Sequence, residues 1–191
     1  AFQAGRGGFG GWMRIISGSA GGIPIAVPKT LLRPTADRVR EAVFSMLGER
    51  TEGAAVLDLF AGSGAIGLEA LSRGAKEAVM IEKDSAALAI LKENIRKTDF
   101  QESGRAIRGD CFRYLQNCSR DFDLIYGDPP YGLKAYRQIL EAIAAAEALR
   151  VGGLLILESP KDEELPMETL AYICSRKAVY GNTAIHFYQR K

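Results

Sequence analysis

The sequence predicts an α/β protein built on a seven-stranded, mostly parallel β-sheet. From residue 54 onward, short apolar runs alternate with segments of helical periodicity. These runs lack the polar–apolar alternation of half-exposed strands, which favours a parallel sheet covered by helices on both faces. Near the C-terminus, Gly181 and Asn182 separate two β-rich runs, which is typical of an antiparallel hairpin.

The elements follow in order along the chain. Residues 13–17 and 23–27 are predicted to form a small N-terminal β-hairpin around a glycine-rich connection, "GSAGG". From Thr35, apolar residues recur every three or four positions, which predicts a helix that ends at Gly48. The parallel strands are predicted at 54–60, 78–82, 106–109, 123–126 and 154–158, and the helices between them at 65–73, 85–97, 112–117 and 134–149.

Composition is that of one globular domain. The chain has 191 residues, of which 47% are hydrophobic and 25% charged. We find no run approaching the roughly 18 apolar residues of a membrane span, and we expect no membrane association. The cysteines Cys111, Cys118 and Cys174 lack metal-type spacing, so we predict reduced thiols, a cytoplasmic location and no metal.

Charge is uneven along a chain of net charge +2. Residues 1–40 carry six basic side chains and one acidic one, whereas the remainder is slightly acidic. This distribution suits either a face that binds a polyanion or an ordinary solvated surface.

A glycine-rich turn between a strand and a helix, "VLDLFAGSGAIGLEA", predicts a ligand site. Gly62 and Gly64 allow the backbone to approach a ligand closely, and the helix N-terminus adds donors. "GSGAIG" also matches the GxGxxG pattern of nicotinamide-binding proteins. Asp58, within the strand before the turn, is badly placed for a pyrophosphate and better placed for a cationic or amino ligand.

Two further strands also end in acidic residues. Glu82 follows the second strand and can accept hydrogen bonds from two ribose hydroxyls, while Asp110 follows the third and can accept from the adenine amine, with Cys111 beside the ring. Acids at three successive strand ends, with no lysine in the glycine turn, suit a nucleoside that carries a positively charged amino-acid group. S-adenosylmethionine has these features. From residue 54 to the C-terminus the chain resembles the class I (Rossmann-like) methyltransferases.

The fourth strand ends in "DPPY", residues 128–131, and two prolines in a row cannot continue a strand. The stretch resembles the motif of methyltransferases that modify amines conjugated to planar rings. In such enzymes the carboxylate of Asp128 and the carbonyl of Pro129 would accept hydrogen bonds from the amine, and Tyr131 would stack on the base. The motif does not separate guanine N2 from adenine N6, cytosine N4 or a glutamine amide.

The N-terminal "MRIISGSAGGIPIAVP" and "RPTADRVREAVFSML", with the C-terminal "YGNTAIHFYQR", resemble the bacterial 16S ribosomal RNA guanine-N2 methyltransferases. This likeness spans residues 13–190. It implies methylation of a guanine in 16S ribosomal RNA, alone or within the small ribosomal subunit. We predict that five basic residues hold RNA phosphates: Arg14, Lys29, Arg33, Arg38 and Arg40.

The chain is expected to divide into three parts, the first of which is marked by its glycine-rich composition before Met13. Residues 1–12 are expected to be a leader or tag, 13–50 an RNA-binding extension, and 51–191 the methyltransferase domain. An adenine-N6 methyltransferase and a non-catalytic RNA-binding protein remain alternatives. His186, the only histidine, lies between two apolar residues and is predicted to be structural or at the surface.

Overall fold

A computed structural model describes residues 9–28, 36–130, 133 and 135–191. Within these residues, seven strands form one sheet and two form a separate hairpin. The strands are β1 (Phe9–Arg14), β2 (Pro24–Pro28), β3 (Ala55–Asp58), β4 (Glu77–Glu82), β5 (Gly104–Arg108), β6 (Phe122–Gly127), β7 (Leu149–Pro160), β8 (Tyr172–Tyr180) and β9 (Thr183–Arg190). The helices are α1 (Ala36–Leu47), α2 (Ala65–Ser72), α3 (Ser85–Lys97), α4 (Cys111–Gln116) and α5 (Tyr136–Ala145), with a 3-10 turn at Gly48–Thr51.

The large sheet has the strand order β5-β4-β3-β6-β7-β9-β8. Strands β5, β4, β3, β6 and β7 are parallel, whereas β9 runs antiparallel to both of its neighbours. The strand order reverses between β3 and β6. Since ligands of open α/β sheets bind outside the carboxyl ends of the strands at such a reversal, this edge is where a site is expected.

The sheet is covered by apolar side chains on both faces. One cluster includes Val56, Met80 and Ile156 and extends to the N-terminal hairpin and α1. The other includes Leu57, Ile81 and Leu155 and packs against α4 and α5. The predicted mostly parallel seven-stranded sheet with an antiparallel C-terminal hairpin is therefore confirmed. No helix in the described part of the chain is long and apolar enough to cross a membrane.

The N-terminal hairpin is attached to the domain through buried polar contacts. In α3, the side-chain amide of Asn94 accepts from the N–H of Ala26 and donates to its carbonyl, both at 2.8 Å, and donates to the carbonyl of Ser63 at 2.8 Å. In α2, the carboxylate of Glu69 accepts from the N–H of Ile16 at 2.7 Å and of Ser17 at 3.1 Å. These contacts hold the hairpin against α2, α3 and the turn that follows β3.

Several boundaries differ from the sequence prediction, and two of them have a clear structural consequence or cause. The first strand occupies Phe9–Arg14 rather than 13–17, so it includes four residues of the expected leader. Helix α5 ends at Ala145 rather than 149, because Glu147 adopts a left-handed φ of 48° and Leu149 already pairs with Phe122 in the sheet. Pairing with β6 therefore overrides the helical propensity of the segment "AEAL".

Candidate active site

The turn between β3 and α2 begins with a buried acid. Asp58 is the last residue of β3, is 1% exposed, and accepts a hydrogen bond from the N–H of Phe60 at 3.3 Å. Burial raises the pKa of its carboxyl to about 7, and the nearby carboxylates of Asp128 and Glu82 contribute to that rise. Asp58 therefore changes its charge near neutral pH.

The two glycines of this turn have different surroundings. Both have positive φ, 55° at Gly62 and 83° at Gly64, which favours glycine. Gly62 lines the open space above the sheet. Gly64 begins α2 without lining that space, and a Cβ there would lie 2.3 Å from the side chain of Leu91. Packing against α3 therefore accounts for Gly64 without a ligand contact.

Glu82, the last residue of β4, is held by two backbone donors. Its Oε2 accepts from the N–H of Gly62 at 2.7 Å, and its Oε1 accepts from the N–H of Asp84 at 2.7 Å. Each carboxylate oxygen has two lone pairs, so each retains capacity for a ligand hydroxyl. These two bonds hold the carboxylate in one position at the end of β4, and its role in ribose binding stays a prediction.

Asp110 and Cys111 follow β5. Asp110 caps α4, its Oδ1 accepting from the N–H of Phe112 at 3.0 Å and of Arg113 at 3.4 Å. Its Oδ2 lies 3.3 Å from the ammonium of Lys83. Burial raises the pKa of the Cys111 thiol to about 11, so the thiol is neutral and offers an apolar contact.

The "DPPY" stretch follows β6 directly. Asp128 is half-buried, Pro129 is buried and Pro130 is exposed. Tyr131, predicted to stack on a base, lies outside the described residues. Because β6 is the neighbour of β3, Asp128 emerges beside the glycine turn.

Two adjoining cavities occupy this edge of the sheet. A cleft of about 600 Å³ is lined by Glu82, Asp110, Cys111, Asp128 and Pro129, among others. A smaller cavity of about 120 Å³ is lined by residues that include Arg40, Asp58, Tyr126, Asp128 and Glu158. Asp58 thus lies in the small cavity, whereas Gly62 and Asp128 line both.

The charges of the larger cleft are mostly negative. Four acids line it, Glu82, Asp84, Asp110 and Asp128, against a single cation among the described residues, Lys83. An excess of carboxylates attracts a cationic ligand and disfavours a pyrophosphate. This distribution fits a cofactor that carries a sulfonium and an ammonium group, and it speaks against a dinucleotide in the same place.

The predicted phosphate-binding residues are not alike. Arg14 and Arg38 are exposed, and Lys29 and Arg33 lie outside the described residues. Arg40 is 2% exposed, and its Nε lies 3.6 Å from the buried carboxylate of Glu69. The prediction that Arg40 holds an RNA phosphate at the surface is wrong, because its guanidinium is buried beneath the hairpin.

Sequence reasoning missed two features near the site, the burial of Arg40 and the contact between Tyr126 and Glu158. Arg40 stands three, four and seven positions before the buried residues Val43, Phe44 and Leu47. This spacing is that of one helix face, so it predicts that Arg40 lies on the buried face of α1. Tyr126 donates a hydrogen bond from its hydroxyl to Glu158, and both residues line the small cavity. No sequence motif marks this pair, since each residue resembles an ordinary member of a buried strand.

His186 agrees with its predicted structural role. It is buried in β9, and its Nε2 lies 3.2 Å from the hydroxyl oxygen of Ser159. Burial lowers the pKa of its imidazole to about 4. Among the residues that the structure describes, no group of three or more histidine, cysteine or acidic side chains is arranged to hold a metal ion.

The strand order, the antiparallel last strands, the glycine turn after β3 and the acids at the strand ends define the class I methyltransferase fold. Comparison with known proteins agrees, and residues 13–189 match the model of the family described as "Conserved hypothetical protein 95". The chain belongs to this family.

Sequence relatives and similar solved structures support the assignment of the chain to this family. The ribosomal RNA small subunit methyltransferase D of Escherichia coli is 34% identical over 95% of this chain and 91% of its own length. A solved structure from the same organism, described as a candidate methyltransferase, yhhF, is 33% identical, with a TM-score of 0.84 over 95% of this chain and 99% of that one. The predicted resemblance to the 16S ribosomal RNA methyltransferases is confirmed.

A more distant structure shares the fold. The Thermus thermophilus 16S rRNA N2 G1207 methyltransferase, solved with AdoMet and guanosine, is 24% identical. It superimposes with a TM-score of 0.72 over 95% of this chain and 50% of that one. At this identity the likeness concerns the fold alone.

Proposed function

We propose that this protein transfers a methyl group from S-adenosylmethionine to the N2 amine of a guanine in 16S ribosomal RNA. The observation that carries the proposal is the position of Asp128 and Pro129 at the end of β6, where they line the same acidic cleft as Glu82 and Asp110. The name of the Escherichia coli relative supports ribosomal RNA as the substrate.

The residues of the cleft suit S-adenosylmethionine. Glu82, held by the N–H groups of Gly62 and Asp84, would accept hydrogen bonds from the ribose hydroxyls. Asp110 and Cys111 would lie beside the adenine, and Asp58 would attract the positively charged end of the cofactor. A volume of about 600 Å³ falls within the range of sites that enclose small-molecule ligands. When bound, the cofactor supplies an electrophilic methyl group.

Asp128 and Pro129 would prepare the amine. The lone pair of an aromatic exocyclic amine is delocalised into the ring, so the nitrogen is a weak nucleophile. Hydrogen bonds from its N–H groups to the Asp128 carboxylate and the Pro129 carbonyl favour a more pyramidal and more reactive nitrogen. The remaining requirement is orientation, because transfer needs the nitrogen in line with the methyl group. Tyr131 would stack on the base.

The RNA would contact the exposed part of the N-terminal region. Arg14 on β1 and Arg38 on α1 are exposed and carry the proposal for phosphate contacts in the described residues. The buried contacts of Asn94 and Glu69 anchor the hairpin that carries Arg14 to α2 and α3. A structured RNA provides its own shape for recognition.

The test is a methyl-transfer assay with labelled S-adenosylmethionine. Naked 16S ribosomal RNA, the assembled small subunit and duplex DNA are compared as substrates, and the product is identified by nucleoside mass spectrometry and mapped along the RNA. We expect N2-methylguanosine at one position of the ribosomal RNA. Formation of N6-methyladenosine would replace the proposal with the adenine alternative. Failure to bind the cofactor in calorimetry would favour a non-catalytic RNA-binding protein.

A further inference from the structure

The acids at the carboxyl edge of the sheet follow the order of the strands. Asp110 follows β5, Glu82 ends β4, Asp58 ends β3 and Asp128 follows β6, in the spatial order of the sheet. The next strand, β7, contributes Glu158 near its own carboxyl end. The first three positions belong to the proposed cofactor site and the fourth to the target amine. Glu158 lies one strand further, on the side away from the cofactor.

The register places Glu158 beside Asp128. Tyr126 pairs with Ile156 and Gly127 with Leu157 in the parallel ladder of β6 and β7. Asp128 and Glu158 are the next residues on the two strands. Because side chains alternate between faces along a strand, both lie on the face of Tyr126 and Ile156, and both line the small cavity.

Tyr126 holds the Glu158 carboxylate in place. Its hydroxyl donates a hydrogen bond to Oε1 of Glu158. Burial raises the pKa of the Tyr126 hydroxyl well above its usual value, and the charges of Glu158 and Asp128 raise it further. The hydroxyl therefore remains protonated as a donor, and Glu158 is presented to the cavity as an oriented acceptor.

We propose that Glu158 is the residue that selects guanine, by accepting the N1–H of the base while Asp128 accepts an N2–H. Guanine presents these two donors side by side on its Watson–Crick edge, whereas adenine presents an acceptor at N1 beside its amine. A carboxylate only accepts, so it matches guanine and repels adenine. The inference deepens the proposed function, on which it rests, by assigning its base specificity.

A substrate that contains 2-aminopurine tests base selection separately from methyl transfer to the amine. This base has the same 2-amine as guanine but an acceptor at N1 in place of the donor. The substrate is a 16S ribosomal RNA fragment with either guanine or 2-aminopurine at the position mapped in the methylation assay. The wild-type protein is expected to methylate guanine at least ~100-fold faster, because a site built around a hydrogen bond rejects an analogue that cannot form it.

Three variants test the residue. In Glu158→Gln the amide can donate to N1 of 2-aminopurine, so the preference for guanine is expected to fall by at least ~10-fold. Tyr126→Phe is expected to give an intermediate preference, because Glu158 remains but loses the donor that orients it. Glu102→Gln, at an exposed position before β5, is the matched control and is expected to keep the wild-type preference.

The outcomes are distinguishable from failure of the proposed function. If the wild-type protein methylates no guanine, the proposed function fails. If it methylates guanine and Glu158→Gln lowers the methylation rates of the guanine and 2-aminopurine substrates by the same factor, the inference about Glu158 is overturned. A fall in cofactor affinity that accounts for the whole loss would also overturn it, since Glu158 would then contact the cofactor. Should Glu158→Gln not fold, Glu158→Asp keeps a carboxylate and is expected to retain the guanine preference at reduced turnover, and loss of that preference would contradict the inference.

Discussion

The backbone N–H of Gly62 donates a hydrogen bond of 2.7 Å to Oε2 of Glu82. This bond joins the glycine turn after β3 to the acid at the end of β4. The two parts of the proposed cofactor site are therefore coupled before any ligand binds. A change at Glu82 is expected to affect both the ribose contact and the conformation of the turn.

Replacing Glu82 tests this coupling. Glu82→Ala is expected to weaken S-adenosylmethionine binding by about 1.5–3 kcal/mol, or roughly 10–150-fold in Kd, because it removes hydrogen bonds to a charged group. Glu82→Gln keeps one acceptor oxygen and is expected to lose less. Isothermal titration calorimetry gives both affinities, with Glu102→Ala as a control. Equal affinity of Glu82→Ala and the wild type would remove Glu82 from the cofactor site.

The exposed arginines of the N-terminal region are expected to bind RNA through charge alone. Neutralising Arg14 and Arg38 together should flatten the dependence of log K on log salt concentration by roughly 0.7–0.9 for each phosphate that the protein no longer neutralises. Cofactor affinity should stay unchanged, because neither side chain lines the cleft. The measurement is RNA binding at several salt concentrations. If the slope of log K against log salt concentration is unchanged, Arg14 and Arg38 are solvated surface residues that do not bind RNA.

Arg40 is expected to behave differently from these two arginines. Arg40→Gln leaves the buried carboxylate of Glu69 with Arg73 as its remaining cation, at 2.7 Å from Oε1. Breaking a buried ion pair in this way should lower the free energy of unfolding by about 3–5 kcal/mol. Denaturant unfolding measures that decrease, and the salt dependence of RNA binding by the folded variant should match the wild type. A variant as stable as the wild type, with a flatter salt dependence of RNA binding, would indicate that Arg40 contacts RNA.

Much of the fold could be predicted because the strands are buried on both faces. Leu57, Ile81 and Ile125 are buried in the centre of the sheet. The apolar runs that contain them predict β3, β4 and β6 from local sequence alone, without knowledge of which strands pair. The end of α5 could not be predicted in this way. The residues after Ala145 favour a helix locally, but the pairing of Leu149 with Phe122 depends on residues far apart in sequence.

The acids of the site could be predicted because each lies at the end of a strand, and parallel strands bring their carboxyl ends to one edge. Contacts between distant polar groups could not. Asn94 has the appearance of a surface residue in an amphipathic helix, yet its amide joins Ala26 to Ser63 inside the protein. Glu158 resembles an ordinary strand end, and only the register of β6 and β7 places it beside Asp128.

Asp58 predicts an unusual dependence of stability on pH. Its carboxyl has a pKa of about 7 in the folded protein against an ordinary value of 3.8. Between these values the folded state holds a proton that the unfolded state has released. Stability should therefore fall as pH rises from about 4 to 7, by at most roughly 4 kcal/mol, and level off above. Asp58→Asn cannot ionise and should unfold at a higher temperature than the wild type at pH 8, with a smaller difference at pH 5.

The same ionisation should control cofactor affinity. A cationic cofactor favours the charged form of Asp58, so its affinity should rise as pH increases from about 6 to 8. In Asp58→Asn that dependence should be absent and the affinity lower. Calorimetric titrations at three pH values measure both effects. If the two proteins show parallel pH profiles, Asp58 does not sense the cofactor's charge.

Asp128 is expected to act on the chemical step rather than on cofactor binding, because its proposed partner is the target amine. Asp128→Ala removes the acceptor and should lower turnover at least ~100-fold, the scale observed when one positioned polar group is removed from a transition state. Asp128→Asn keeps an acceptor oxygen without the charge and should retain more activity than Asp128→Ala.

Tyr131→Phe should lower activity only slightly because stacking needs only the ring, whereas Tyr131→Ala should lose about 1–3 kcal/mol of stacking. Single-turnover methylation of 16S ribosomal RNA at saturating cofactor separates these effects from binding. Wild-type turnover by Asp128→Ala would show that the carboxylate does not contact the reacting nitrogen and that the two prolines only end a strand.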